Sequence, residues 1–173
     1  MSTAELILYA TPTGALADQL DFVFERLRRS APTTAQTYPP HCTLTGFFRR
    51  DADTVPRILE ELRGAHDDVG TMPAEPVEVI ALHRRPDWVG LELRSPWLQQ
   101  LTMAFVDRHS VGPDDDPLRP KDWLHLSIAY GDGDLAAAQP LVADLDPALT
   151  AEWEVDLWQR HEDGVWSRHR PCG

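Results

Sequence analysis

The chain has 173 residues, of which 42% are hydrophobic and 25% charged, a length and balance that fit one domain or two closely fused lobes with a core and argue against a disordered chain. Its formal charge is −12 and its pI about 4.8, which argues against a grip on long nucleic acid through phosphates but leaves room for a small anion held by a few focused donors. No apolar run approaches the ~18 residues of a membrane span, so no membrane partner is expected.

Residues 5–10 (ELILYA) read as a short buried strand. Residues 14–30 carry Leu16, Leu20, Val23, Phe24 and Leu27 at helical spacing. A polar loop over 31–40 ends in Pro39-Pro40, which pushes the chain into extended geometry, so a strand is predicted over 41–48 (HCTLTGFF). Thr54 caps a second predicted helix bearing Val55, Ile58, Leu59 and Leu62, with Gly64 at its end. Residues 76–83 and 88–94 are β-like and turn at Arg85-Pro86-Asp87. Ser95-Pro96 starts a third helix lined by Leu98, Leu101, Phe105 and Val106. A loop over 110–121 contains Asp114, Asp115 and Asp116, read as solvated. Residues 124–130 form another strand, 132–146 a weaker helix interrupted by Pro140, and 153–158 with 165–169 a closing hairpin turned at Glu162-Asp163-Gly164.

The two halves repeat. His125 lies 84 positions after His41, and the same offset lays His41-Cys42-Thr43-Leu44 on His125-Leu126-Ser127-Ile128. It also lays the first strand on the strand around 90–94. Each half runs strand, helix, loop, His-x-hydroxyl strand, helix, strand, with the halves dividing near 84/85. We read one bilobal domain over 1–173.

Strand residues i and i+2 face the same way. His41 and Thr43 therefore share a face, as do His125 and Ser127, while Cys42, Leu44, Leu126 and Ile128 turn to a core. If the halves pack about a pseudo-two-fold axis, two imidazoles and two hydroxyls converge in one cleft. That set suits opening of a cyclic phosphodiester. A neutral imidazole takes a proton from attacking water, an imidazolium protonates the leaving oxygen, and Thr43 and Ser127 hold the non-bridging oxygens. Which histidine is base stays open, as does the choice between a 2′- and a 3′-phosphate product. No metal and no cofactor is called for.

The paired tetrapeptides HCTL (41–44) and HLSI (125–128) resemble the H-x-[S/T]-x motifs of the 2H phosphoesterase superfamily, and HLSIAYG resembles the form found in plant-type cyclic nucleotide phosphodiesterases. The resemblance implies an α+β fold of two similar lobes, with two mostly antiparallel sheets around a central cleft and helices outside. It implies metal-independent chemistry on 2′,3′-cyclic phosphates, or on ADP-ribose cyclic phosphate, 2′-5′ linkages or RNA ends. It assigns His41 and His125 to catalysis and Thr43 and Ser127 to the phosphate, and it places Tyr130 beside the substrate. Strict alternation would put Tyr130 on the wrong face, so a bend near Gly131 is required.

Trp123 and Phe47 share the parity of the nearby histidines and are read as cleft aromatics able to stack on a base. Trp88, Trp97, Trp153, Trp158 and Trp166 are read as packing. Arg49-Arg50, Arg84-Arg85, Arg119 and Lys121 flank the strands, where one or two could steer a phosphate. His66, His83, His109, His161 and His169 share no metal-ligand spacing. Cys42 and Cys172 are too few for a disulfide framework, and Cys42 is read as a buried inert thiol. Met1 to Ala10 lacks the basic and long apolar segments of a secretory leader, and the cytoplasm is the expected setting. The expected partner is a small cyclic phosphate or nucleotide. Alternatives are an RNA-end phosphodiesterase or ligase-like enzyme, which a basic strip around the cleft would favour, a non-catalytic nucleotide binder, and an interaction protein whose two histidines lie far apart.

Overall fold

A computed structural model describes residues 2–109, 111–112, 115–146, 148–149 and 151–171. The strands are β1 (Thr3–Thr13), β2 (Cys42–Thr43), β3 (Phe48–Asp51), β4 (Glu78–Arg84), β5 (Trp88–Arg94), β6 (His125–Tyr130), β7 (Glu152–Arg160) and β8 (Trp166–His169). The helices are α1 (Ala15–Ser30), α2 (Val55–Val69), α3 (Pro96–Arg108) and α4 (Leu135–Leu141). All strand pairs are antiparallel, in the order β4-β5-β6-β2-β1-β7-β8 with β3 on β1.

The even-numbered residues of β1, Leu6, Leu8 and Ala10, enter one core with Cys42, Leu44, Leu126 and Ile128 and with the apolar stripes of the helices. The helices thus cover one face of the sheet, and the odd face is left for the cleft. The two expected sheets are continuous: β8-β7-β1-β2 forms one wing and β6-β5-β4 the other. They join at Cys42 opposite Leu126, and the bridge of Thr45 to Pro120 continues the contact just beyond the two strands. The lobes also exchange strands. β4 leaves the first sequence half to pair with β5, and β7 returns from the second half to pair with β1 along nine register positions.

Several boundaries differ from the sequence reading: β1 and β7 run longer than expected, the helix expected over 132–146 spans only Leu135–Leu141, and three further differences have clear physical reasons. The strand predicted over 41–48 is split. Ala10 and Tyr9 face Cys42 and Thr43, and Leu6 faces Phe48, so two residues of β1 oppose four of the partner. The extra residues stay buried at Leu44 and Thr45 and pair with the chain before β6, Gly46 N–H donating to the Arg119 carbonyl at 2.8 Å and Lys121 N–H to the Leu44 carbonyl at 2.9 Å, while the Thr45 hydroxyl accepts a hydrogen bond from the Leu8 amide at 3.1 Å. The second helix passes Gly64 and stops at Gly70, whose φ of 78° suits glycine. Gly64 is internal because the Arg108 guanidinium fills the space of a side chain, with Nη1 2.6 Å from where a Cβ would be. The polar loop at 31–40 holds a 3-10 turn, Thr34–Thr37, with Ala35 and Gln36 buried.

Ser95 caps α3 by accepting from the Leu98 amide at 3.0 Å, and the two predicted hairpin turns are present. In the loop predicted over 110–121, Asp115 lies 3.7 Å from the buried Arg50, and Asp116 accepts from the Arg49 amide at 3.2 Å. That segment is therefore tethered to β3 rather than simply solvated. Asp114 and Cys172 lie outside the described residues. No helix among the described residues is long and apolar enough to cross a membrane.

Candidate active site

The β2–β6 junction assembles the site. Cys42 opposite Leu126 sets Ser127 across from His41 and His125 across from Thr43, all four on the face away from the core. His41 and His125 are then diagonal neighbours, a spacing of about 7–8 Å between backbones, which leaves room for a phosphoryl group between the rings. All four side chains line one cavity of about 300 Å³ with Ala35, Trp88, Trp123 and Tyr130.

Both rings are oriented by the same local contact. His41 Nδ1 is 2.7 Å from the Pro39 carbonyl, and His125 Nδ1 is 3.2 Å from the Trp123 carbonyl, each two residues earlier. A carbonyl only accepts, so each Nδ1 donates, and the neutral ring keeps its lone pair on Nε2. His41 stacks under Tyr9 with ring centroids 3.8 Å apart. It is the deeper of the two, and its pKa is pushed down to about 4, mainly by burial and further by the charge of His125. Burial also lowers His125 from its ordinary value, and Lys121 adds to that shift.

A β-bulge brings Tyr130 to the cleft. Gly90 pairs with Ser127 and Val89 with Ala129, so Ile128 is the extra residue. Ile128 and Ala129 are consecutively buried, and Tyr130 returns to the face of Ser127. The required bend therefore lies at Ile128, not near Gly131. The 3-10 turn serves this irregularity: the Gln36 side-chain amide donates to the Ile128 carbonyl at 2.5 Å, and the Thr33 hydroxyl accepts from the Tyr130 amide at 3.4 Å.

Trp123 is half-exposed and stacks on His125, centroids 4.1 Å apart and planes 24° apart. Phe47 lines a second compartment of about 310 Å³ with Tyr9, Tyr38, Thr45 and Lys121, reached across His41, Thr43, His125 and Tyr130. The histidine pair thus stands between two spaces, one walled by indoles and one by phenols and Phe47. Of the flanking cations, Lys121 lines this second space, whereas Arg50 is buried and donates to His109 Nε2 at 2.9 Å. No three His, Cys, Asp or Glu side chains form a metal-ligating group among the described residues.

Three cleft aromatics were not assigned to the site by sequence. Tyr9 and Tyr38 are placed by the register of β1 and by the 3-10 turn, which no local pattern reveals. Trp88, read as packing, lines the first compartment and donates its indole N–H to Ser127 Oγ at 2.9 Å. A signal for it exists in WVGLELR. Gly90 stands two residues on, on the same face, and a Cβ there would collide with the Trp88 ring and lie 2.5 Å from the Leu126 carbonyl.

The family described as 2'-5' RNA ligase superfamily matches residues 15–164. The chain is 26% identical over 164 residues to the ecdysteroid-phosphate phosphatase of Bombyx mori, covering 90% of this chain and 24% of that protein. It is 28% identical over 163 residues to the ubiquitin-associated and SH3 domain-containing protein A of Mus musculus, covering 90% and 26%. It spans about a quarter of the length of the curated relatives it matches. With the family match running over most of its length and the paired motifs meeting in one cleft, the chain belongs to the 2'-5' RNA ligase superfamily, the 2H phosphoesterases.

Proposed function

We propose that this member of the superfamily is a metal-independent phosphodiesterase that opens a small cyclic phosphate, with a nucleoside 2′,3′-cyclic phosphate or ADP-ribose cyclic phosphate as the preferred substrate class. One observation carries the reading: two imidazoles on diagonal positions of one strand junction line the same cavity, each with Nδ1 tied to a carbonyl. His41 is the base. Its depressed pKa keeps it neutral near pH 7, so Nε2 takes a proton as the water oxygen bonds to phosphorus. His125 is the acid. It gives its Nε2 proton to the ribose oxygen as the P–O bond breaks, and the product is a monoester. Thr43 and Ser127 donate to the non-bridging oxygens, where negative charge grows. The substrate's own negative charge favours the imidazolium of His125 once it is bound. Trp123, Tyr130 and Phe47 supply surfaces for the rest of the ligand.

An RNA-end reading has less support, because the chain carries −12 and Lys121 is the cation lining the two compartments among the described residues. The test is turnover of 2′,3′-cyclic nucleotides and ADP-ribose cyclic phosphate in EDTA by wild type, His41→Ala and His125→Ala. Activity that survives EDTA and falls by about 10²- to 10⁴-fold in each variant is expected. Loss in EDTA, or near-full activity in either variant, contradicts the reading.

A further inference from the structure

We propose that Trp88 is a positioning residue for the phosphoryl step, acting through Ser127 and His125; this rests on the phosphodiesterase reading above. A serine hydroxyl rotates freely, and as an oxyanion donor it helps only when its proton points at the developing charge. The Trp88 Nε1–H donates to Ser127 Oγ at 2.9 Å and occupies one acceptor position on that oxygen. Indole N–H only donates, so the Ser127 proton cannot return along that line. No protein acceptor for it exists among the described residues. The proton is therefore left to the cavity that Ser127 lines. The Thr43 hydroxyl has no such partner among the described residues, so the two otherwise equivalent motifs differ: one hydroxyl is preset and the other turns.

The same indole meets His125 edge-on, centroids 5.6 Å apart and planes 81° apart, while Trp123 stacks on the imidazole and lies 5.2 Å from Trp88. The two adjoining indoles pack against the imidazole and limit its rotation. Gly90 makes the arrangement possible. It pairs with Ser127 across the strands, and its missing side chain is the space in which the Trp88 ring lies.

The test is a double-mutant cycle on 2′,3′-cyclic AMP in EDTA with wild type, Trp88→Phe, Ser127→Ala and the double variant. Phenylalanine keeps a ring beside His125 and removes the N–H. Each single change lowers kcat by about five- to tenfold with KM held within about twofold, as expected of one oriented hydrogen bond used in the transition state. The double variant is no slower than Ser127→Ala alone, because Trp88 acts through that hydroxyl. Unchanged kcat in Trp88→Phe, or losses that multiply in the double variant, overturn the proposal. If the wild type turns over none of the cyclic phosphates, the phosphodiesterase reading fails by itself. The positioning role is then decided by inorganic phosphate binding, which both single variants weaken equally and non-additively. Additive or absent effects there overturn it.

Discussion

A histidine at the head of a strand has one ring nitrogen within reach of the carbonyl two residues back, and both His41 and His125 use it. The contact selects the tautomer, and among the described residues no carboxylate pairs with either ring to hold it protonated. Burial then lowers both pKa values, His41 to about 4 and His125 below its ordinary 6.5. The free-enzyme profile follows from those signs. The base must be neutral, so kcat/KM rises as pH climbs through about 4. The acid must be protonated, so kcat/KM falls as pH climbs through the lowered value of His125. A bell with its maximum on the acid side of 6.5 is expected in steady-state assays, and His41→Ala removes the acid limb. A kcat/KM that keeps rising through pH 7 contradicts the assignment of His125 as acid.

At the scale of elements, the site depends on two irregularities that alternation alone does not reveal. The bulge at Ile128 returns Tyr130 to the cleft, and the freed Ile128 carbonyl is met by buried Gln36 from the 3-10 turn. Gln36→Leu leaves that carbonyl unpaired at similar volume. It should lower stability by about 1–3 kcal/mol, read as a lower urea midpoint with an unchanged m-value. A change below about 0.5 kcal/mol would mean the turn does not support the bulge. The first helix was legible, because Leu16, Leu20, Val23, Phe24 and Leu27 repeat with a helical period whatever they pack on. The histidine strands were legible for a similar reason: His, hydroxyl and apolar residues alternate with period two. The split after Thr43 was not, since it arises from how β1 shares its edge between β2 and β3. Nor was the length of α2, because Gly64 reads as a stop unless Arg108, 44 positions away, is known to cover it. Trp88 was misread for want of its cross-strand partner, although Gly90 recorded the vacancy its ring fills.

The whole molecule is held together by exchange between its halves. β1 is flanked by β7 from the far end of the chain, and β5 by β4 from the first half. Residues 1–84 alone would leave β1 without its nine-position partner, and residues 85–173 alone would leave β7 without β1 and β5 without β4. Each fragment should therefore show no cooperative unfolding by circular dichroism, and mixing the two should restore it. Cooperative unfolding of either half alone would contradict that dependence. The β2–β6 junction between the wings, at Cys42 and Leu126, is what sets the histidines on diagonal positions of one cleft. The proposed reaction requires both imidazoles to touch one phosphorus centre. Titration of the wild type with inorganic phosphate, followed through the His41 and His125 ring Cε1–H resonances assigned with the two alanine variants, measures that directly. Both resonances should move along one saturating curve with a common Kd, whereas response of one ring alone, or two separable affinities, would contradict it.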